Sequence, residues 1–250
     1  MASTQTIAEV QPMLEDPLAH LPRSGIVQHK KGQLIYNQDE PSTSIYLVID
    51  GRVKVARLAN NGRQTIVDIY QADDFFGESA FLGLPRMPEQ AVALENTKVM
   101  AWTAAEMGAI AQTRPRLAIA LLQIVVLRSL EYGQRIESFA MEDIRCRLAR
   151  TLIRLSRKLG SPEADGSYRM PPLTHELLSQ YVGTSREIIT HFMNVFRKQG
   201  YVRYSRLGII LFPDAFNEWL CGAGSHAVET MQPPSAAGRP SIAEQILKRA

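Results

Sequence analysis

Between Leu173 and Leu211 the chain reads LTHELLSQYVGTSREIITHFMNVFRKQGYVRYSRLGIIL, an order of residues that few folds accommodate. Thr174 can accept a backbone N–H and so start a helix. Leu177, Leu178, Tyr181 and Val182 follow at three-to-four spacing, the period of a helix with one buried face. Gly183 ends that run. Thr184-Ser185 then caps a second helix from about Arg186, with Ile188, Ile189, Phe192, Val195 and Phe196 as its buried side. Two short helices around a tight glycine turn make the pattern of a helix-turn-helix. Arg186, Glu187, Thr190 and His191 fall in the first turns of the second helix, where a major-groove reader carries its base-contacting side chains. Arginine grips O6 and N7 of guanine with two parallel bonds, and a carboxylate accepts from the cytosine amino group. After Gly200, YVRY and GIILF read as two strands of a wing, with Lys198, Arg203 and Arg206 available for phosphates. An ordinary helical hairpin with solvated charges has the same spacing.

A length of 250 residues with 45% apolar side chains fits one large domain or two ordinary ones. The net charge is only +3, but residues 1–112 hold 9 Lys/Arg against 13 Asp/Glu, while residues 141–220 hold 12 against 8. An acidic front and a basic back suit a sensor joined to a polyanion-binding module. No unbroken apolar run approaches the ~18 residues of a membrane span, and MASTQTIAEV lacks the basic-then-apolar pattern of a secretion signal. Cys146 and Cys221 stand alone and far apart, as in a reducing compartment, so a cytoplasmic location is expected.

From Ile26 to about Thr113, short strands alternate with turn signals. SIYLVIDGRVKVARL gives two strands around Asp50-Gly51, and Asn60-Asn61-Gly62 is a hairpin turn. RQTIVDIYQADDFFGESAF and QAVALENTKVMAWTAAEM continue the pattern, implying a small antiparallel barrel or sandwich. A metal enzyme on such a barrel needs clustered ligands, and the histidines at 20, 29, 175, 191 and 226 show no paired spacing. No phosphate-binding Gly-Lys-Ser loop or nucleophile elbow is present, so no enzyme is expected. An axial haem ligand is also missing, because no His or Cys lies between residues 30 and 145.

Residues 115–141 form a different kind of segment. Ala118, Leu122, Val125, Ser129, Tyr132, Ile136 and Phe139 recur at alternating spacings of four and three, a heptad seam suited to a two-stranded coiled coil. A buried core helix is the other reading, since Leu121, Ile124 and Leu127 are apolar too. Glu142-Asp143 breaks the pattern and caps a helix over 144–159. A short helix over 214–220 closes the folded part. Beyond Cys221 the Gly/Pro/Ser/Ala bias marks a flexible segment, with SIAEQILKRA as a possible amphipathic helix.

GTSREIIT followed by FRKQGYV resembles the recognition segment of the Crp/Fnr family of bacterial transcription regulators, which reads G-x-S-R-E-x-V-x-R. Gly51 to Val55 (G-x-V-K-V) and Phe75 to Glu78 (F-F-G-E) resemble the cyclic-nucleotide-binding β-roll of the same family. The resemblance covers roughly residues 20–220. It implies an α+β chain: a β-roll sensor at 20–113, a dimerisation helix at 114–141 and a winged helix-turn-helix at 142–221, with the flexible tail at 222–250, read from its composition, lying outside the resemblance. It implies Ser185 on phosphate, Arg186 and Glu187 on bases, and a homodimer joined through residues 115–141. Such a dimer places two recognition helices about 34 Å apart on an inverted repeat of double-stranded DNA. RNA polymerase is a further partner if the chain is an activator.

The family's arginine four residues after the glutamate is His191 here, a departure that bears on the operator sequence and not on DNA binding itself. Two cysteines are too few for the four-cysteine iron–sulfur cluster of the Fnr branch. Gly77 and Glu78 match the family's ribose-binding site. Glu89-Gln90, however, stands where an Arg-Ser pair holds the cyclic phosphate, and Tyr132-Gly133 stands where a Thr-Ser pair meets adenine. A carboxylate beside a phosphodiester removes a charge-assisted bond, so conventional cyclic AMP binding is not expected. A nucleotide or other small effector in a remodelled pocket, and control without an effector, both stay open. The other function class is a ligand-binding or protein-interaction module that does not bind DNA.

Overall fold

The computed structural model describes residues 15–226 apart from 23, 42, 206 and 207. Most of the tail, including SIAEQILKRA, lies outside the described residues. Strands β1 (Ile26–His29), β2 (Leu34–Tyr36), β3 (Ser44–Asp50), β4 (Val53–Leu58), β5 (Gln64–Tyr70), β6 (Phe75–Phe76), β7 (Gln90–Ala93) and β8 (Thr97–Thr103) come first. They form two four-stranded antiparallel sheets in the orders β1-β8-β3-β6 and β2-β7-β4-β5. Between the sheets Tyr36, Val48, Val53, Val55, Tyr70, Phe76, Met87 and Val99 make one core. The Asn60-Asn61-Gly62 turn closes the β4–β5 hairpin, where Leu58 faces Gln64.

That hairpin carries a register shift between Val55 and Ala56. The shift leaves Val67 of β5 without an opposite residue in β4. Strand β4 itself alternates, and because both of its faces are covered, Val55 and Ala56 are both buried, on opposite sides. Val55 joins the core of the roll. Ala56, with Ile66 and Ile69, joins the core of the C-terminal half.

Helix α1 (Ala104–Thr113) departs from expectation, because the sequence around it reads as continuing strand. Its start is nonetheless a capping box: Thr103 accepts from the backbone N–H of Glu106, and Glu106 reaches back to the N–H of Thr103. Helix α2 (Pro115–Met141) follows and has two distinct faces. Leu117 and Ala120 are fully buried, and Leu121 and Ile124 pack with Ile45, Leu47, Phe75, Trp102 and Met107 of the preceding elements. The expected seam lies on the open side. Leu122 is 63% exposed and Ile136 69%, Val125 and Phe139 are exposed with them, and only Tyr132 of the seam is half-buried. By length and composition α2 is long and apolar enough to cross a membrane even without an unbroken apolar run. Its inner face is nevertheless fastened to protein: Arg128 pairs with Glu78, and Arg135 donates to the carbonyls of Ile66 and Val67.

Asp143 caps α3 (Ile144–Leu159) by accepting from the N–H of Cys146 at 2.7 Å. Then come β9 (Ser161–Pro162), β10 (Tyr168–Met170), α4 (His175–Val182), α5 (Arg186–Lys198), β11 (Val202–Ser205), β12 (Gly208–Leu211) and α6 (Pro213–His226). The last four strands form a sheet in the order β11-β12-β10-β9. Helix α6 runs to His226, beyond both the expected short helix at 214–220 and the expected start of the flexible tail at 222.

Candidate nucleic-acid interface and effector pocket

Local chemistry sets the two helices of the reading head. The Thr174 hydroxyl accepts from the N–H of Leu177 at 3.1 Å, and the Ser185 hydroxyl accepts from the N–H of Ile188 at 3.4 Å. Between them Gly183 adopts a left-handed φ of 74°. A Cβ on Gly183 would approach Cε1 of Phe139, near the end of α2, to 2.9 Å. Gly183→Ala therefore adds backbone strain to a clash, and a loss of ~1–3 kcal/mol is expected. Thermal melting should fall by several degrees; an unchanged midpoint would show that the turn can relax away from Phe139.

Helix α5 buries Ile189, Met193 and Phe196, and Phe196 meets the ring of Phe216 edge-on at 4.8 Å. This corrects the expected buried side, which included Ile188. Neighbouring residues lie about 100° apart around a helix, so a stripe through 189, 193 and 196 leaves Ile188 outside at 36% exposure. Phe192 and Val195 flank the stripe and are half-buried.

The outer face presents Ser185, Arg186, Glu187, His191 and Lys198, all exposed. Among the described residues the Arg186 guanidinium has no hydrogen-bond or salt-bridge partner. Glu187 is held below the ordinary carboxylate range by its own backbone N–H, by the Ser185 hydroxyl and by Arg186, so it is ionised at neutral pH. Thr190 is placed differently. Its hydroxyl donates to the carbonyl of Arg186 at 2.9 Å and lies 2.8 Å from Nδ1 of His175. Since that hydroxyl proton is used, His175 must donate from Nδ1. Thr190 thus pins α5 to α4, and its hydroxyl has no proton left to donate to a base edge. His191 stands edge-on to Phe192 at 5.1 Å, in a groove whose other wall is Glu142 to Arg145.

On the wing, Arg203 is exposed and lies 5.1 Å over the ring of Phe212. The Tyr204 hydroxyl donates to Asn194 at 3.1 Å and ties the wing to α5.

In the roll, Gly77 takes a φ of 82° and starts the 3-10 turn Glu78–Leu82; a Cβ there would meet the Tyr46 ring at 3.0 Å. Glu78 accepts from Arg128 at 2.9 Å, while Arg128 also donates to the carbonyl of Phe75 and lies 4.7 Å over the Tyr70 ring. Glu89 is buried close by. The Ser79 hydroxyl is 3.5 Å away, and Arg57 approaches only to 3.9 Å. Burial and the neighbouring Glu78 raise the Glu89 carboxyl, against a smaller pull from Arg57. Tyr132 adjoins the same charges, and its phenol is raised chiefly by burial. Gln90 opens β7 opposite Ala56, and Arg86 is exposed. Among the described residues the buried hydroxyl of Tyr36 has no hydrogen-bond partner, and no three His, Cys, Asp or Glu side chains converge as a metal site.

Residues 26–114 match the family model of the cyclic nucleotide-binding domain, and residues 146–217 match that of the Crp-like helix-turn-helix domain. The chain belongs to the Crp/Fnr family of transcription regulators. It is 26% identical over 193 residues to the CRP-like cAMP-activated global transcriptional regulator of Mycobacterium tuberculosis, covering 74% of this chain and 83% of that one. With the global nitrogen regulator of Synechococcus elongatus it shares 26% over 189 residues, 75% of this chain and 85% of the relative. A solved CRP/FNR-family transcriptional regulator from Thermus thermophilus is 25% identical with a TM-score of 0.63, covering 78% of this chain and 98% of its own. The two halves of this Crp/Fnr regulator therefore match a cyclic nucleotide-binding domain and a Crp-like helix-turn-helix domain. Sequence reasoning missed Arg128, Tyr70, Tyr36 and His175 at these sites. Of these only Arg128 left a local trace, as a charge inside the apolar run LLQIVVLRSL.

Proposed function

We propose that this regulator acts as a homodimer in the cytoplasm, reading an inverted-repeat operator with one recognition helix per half-site. The observation that carries this reading is the split of α5: Ile189, Met193 and Phe196 are locked in the core, while Arg186, Glu187 and His191 stand open on the other side. Arg186 and Glu187 contact bases, Ser185 with Thr174 at the helix starts approaches phosphate, and Lys198 and Arg203 neutralise the DNA backbone. The uncovered seam of α2 supplies the dimer contact. The working units are residues 20–113, 114–141 and 142–221, and as an activator the regulator also touches RNA polymerase.

The pocket supports control by an effector other than cyclic AMP, or by none. A cyclic phosphate placed beside Glu89 would face a buried carboxylate with Glu78 behind it. The one nearby guanidinium in α2, Arg128, is already committed to Glu78 and Phe75.

Selecting binding sites from random DNA with the purified chain tests both parts. An inverted repeat with half-site centres about one helical turn apart is expected, with enrichment unchanged by cyclic AMP. No enrichment would leave an interaction module on the same scaffold, and enrichment that requires cyclic AMP would overturn the reading of the pocket.

A further inference from the structure

Strand β5 buries a carboxylate, Asp68, that is only 1% exposed and, among the described residues, has its salt bridges to Arg154 and Lys158 and none within the roll. Its Oδ1 accepts from Arg154 at 2.9 Å, from the Tyr181 hydroxyl at 3.2 Å and from the N–H of Ile69 at 2.9 Å, and its Oδ2 accepts from Lys158 at 2.6 Å. Arg154 and Lys158 belong to α3 and Tyr181 to α4, so three of the four donors come from the DNA-binding half. Helix α2 joins the same cluster. Arg154 lies 3.3 Å from Glu131, and Arg135 lies 4.4 Å over the Tyr181 ring. Around the charges, Ala56, Ile66 and Ile69 share one apolar core with Leu148, Leu152, Leu178 and Val182.

We propose that Asp68 is the clamp that holds the reading head on the β-roll in its DNA-competent orientation. The clamp grips α4 by the inward-facing Tyr181 and leaves the outer face of α5 uncovered, so it orients the reader without masking it. An inverted repeat fixes two heads at once, and a head held in advance has less freedom to lose on binding. Phosphate attraction needs no such orientation.

The proposal rests on α5 being the DNA reader. The test compares the parent with Asp68→Asn and with Tyr181→Phe, which removes one donor and keeps the ring. Binding is measured on the selected operator and on random DNA, with hydrogen exchange followed in β5 and α3. For Asp68→Asn, operator affinity is expected to fall tenfold or more, random-DNA affinity to stay within twofold, and exchange at the β5–α3 boundary to quicken. Tyr181→Phe should give a smaller loss of the same kind, and it decides the matter if Asp68→Asn does not fold. Unchanged or tighter operator binding by a folded Asp68→Asn, or by Tyr181→Phe in its absence, overturns the clamp. A parent chain that selects no operator instead overturns the reading of α5.

Discussion

Leu122→Glu combined with Ile136→Glu is expected to leave a folded monomer that no longer binds the operator. Both side chains are more than 60% exposed in the single chain, so neither change disturbs packing within the protomer. In the proposed dimer each would lie in the seam. Fully burying a leucine or isoleucine contributes ~1.5–3 kcal/mol, and a pair of α2 helices contains four such positions when two are changed in each. Since about a third of each is already covered in the single chain, the loss is at least ~4 kcal/mol before the cost of desolvating the new carboxylates, or roughly three powers of ten in the dimer dissociation constant. Sedimentation should report a single protomer mass with the far-ultraviolet spectrum retained. Operator binding should fall with it, because one head contacts only one half-site. A variant that still sediments as a dimer would place the contact elsewhere. One that is lost to membranes, or that fails to fold, would mean the open face of α2 is covered by something other than a second copy.

What could be read in advance was what is encoded locally. Thr174, Gly183 and Ser185 each satisfy a demand of the backbone within a few residues, so the starts of both helices of the head and the end of the first were legible to within a residue. The phase of α5 was less so. Ile188 and Ile189 are adjacent and both apolar, and only packing against Phe216 and its neighbours decides which one turns inward. Thr103 and Glu106 carried a plain helix-start signal that the surrounding strand pattern obscured. The pocket and the domain boundary left almost no trace. Arg128 meets Glu78 across 50 residues, and Asp68 finds its partners 86, 90 and 113 residues away. Such pairings follow from how the domains dock. Resemblance placed Glu89 where a phosphate-binding arginine stands, but its burial beside Glu78 could be seen only once the roll was closed around Met87 and Tyr36.

Arg186→Ala is expected to separate sequence reading from DNA affinity. The side chain is exposed and has no hydrogen-bond or salt-bridge partner among the described residues, so its removal should change stability by less than about 0.5 kcal/mol. Bound to guanine through O6 and N7, it would contribute ~1–3 kcal/mol of discrimination at one base position. A two-fold dimer incurs that loss in each half-site. Operator affinity should therefore drop by up to several powers of ten, and the preference at that position should relax. Lys198→Ala should behave differently: a lysine on phosphate carries no sequence information, so operator and random DNA should weaken together, with the salt slope flatter by about one for each phosphate no longer neutralised. Arg203→Ala should follow Lys198 on DNA. It should also cost ~0.5–1 kcal/mol of stability, since its guanidinium lies over Phe212. Competition binding across a salt series distinguishes these outcomes. Equal losses on operator and random DNA for Arg186→Ala would reduce it to a phosphate contact. Base reading would then have to come from Glu187 and His191, the remaining exposed side chains on the first turns of the same helix face.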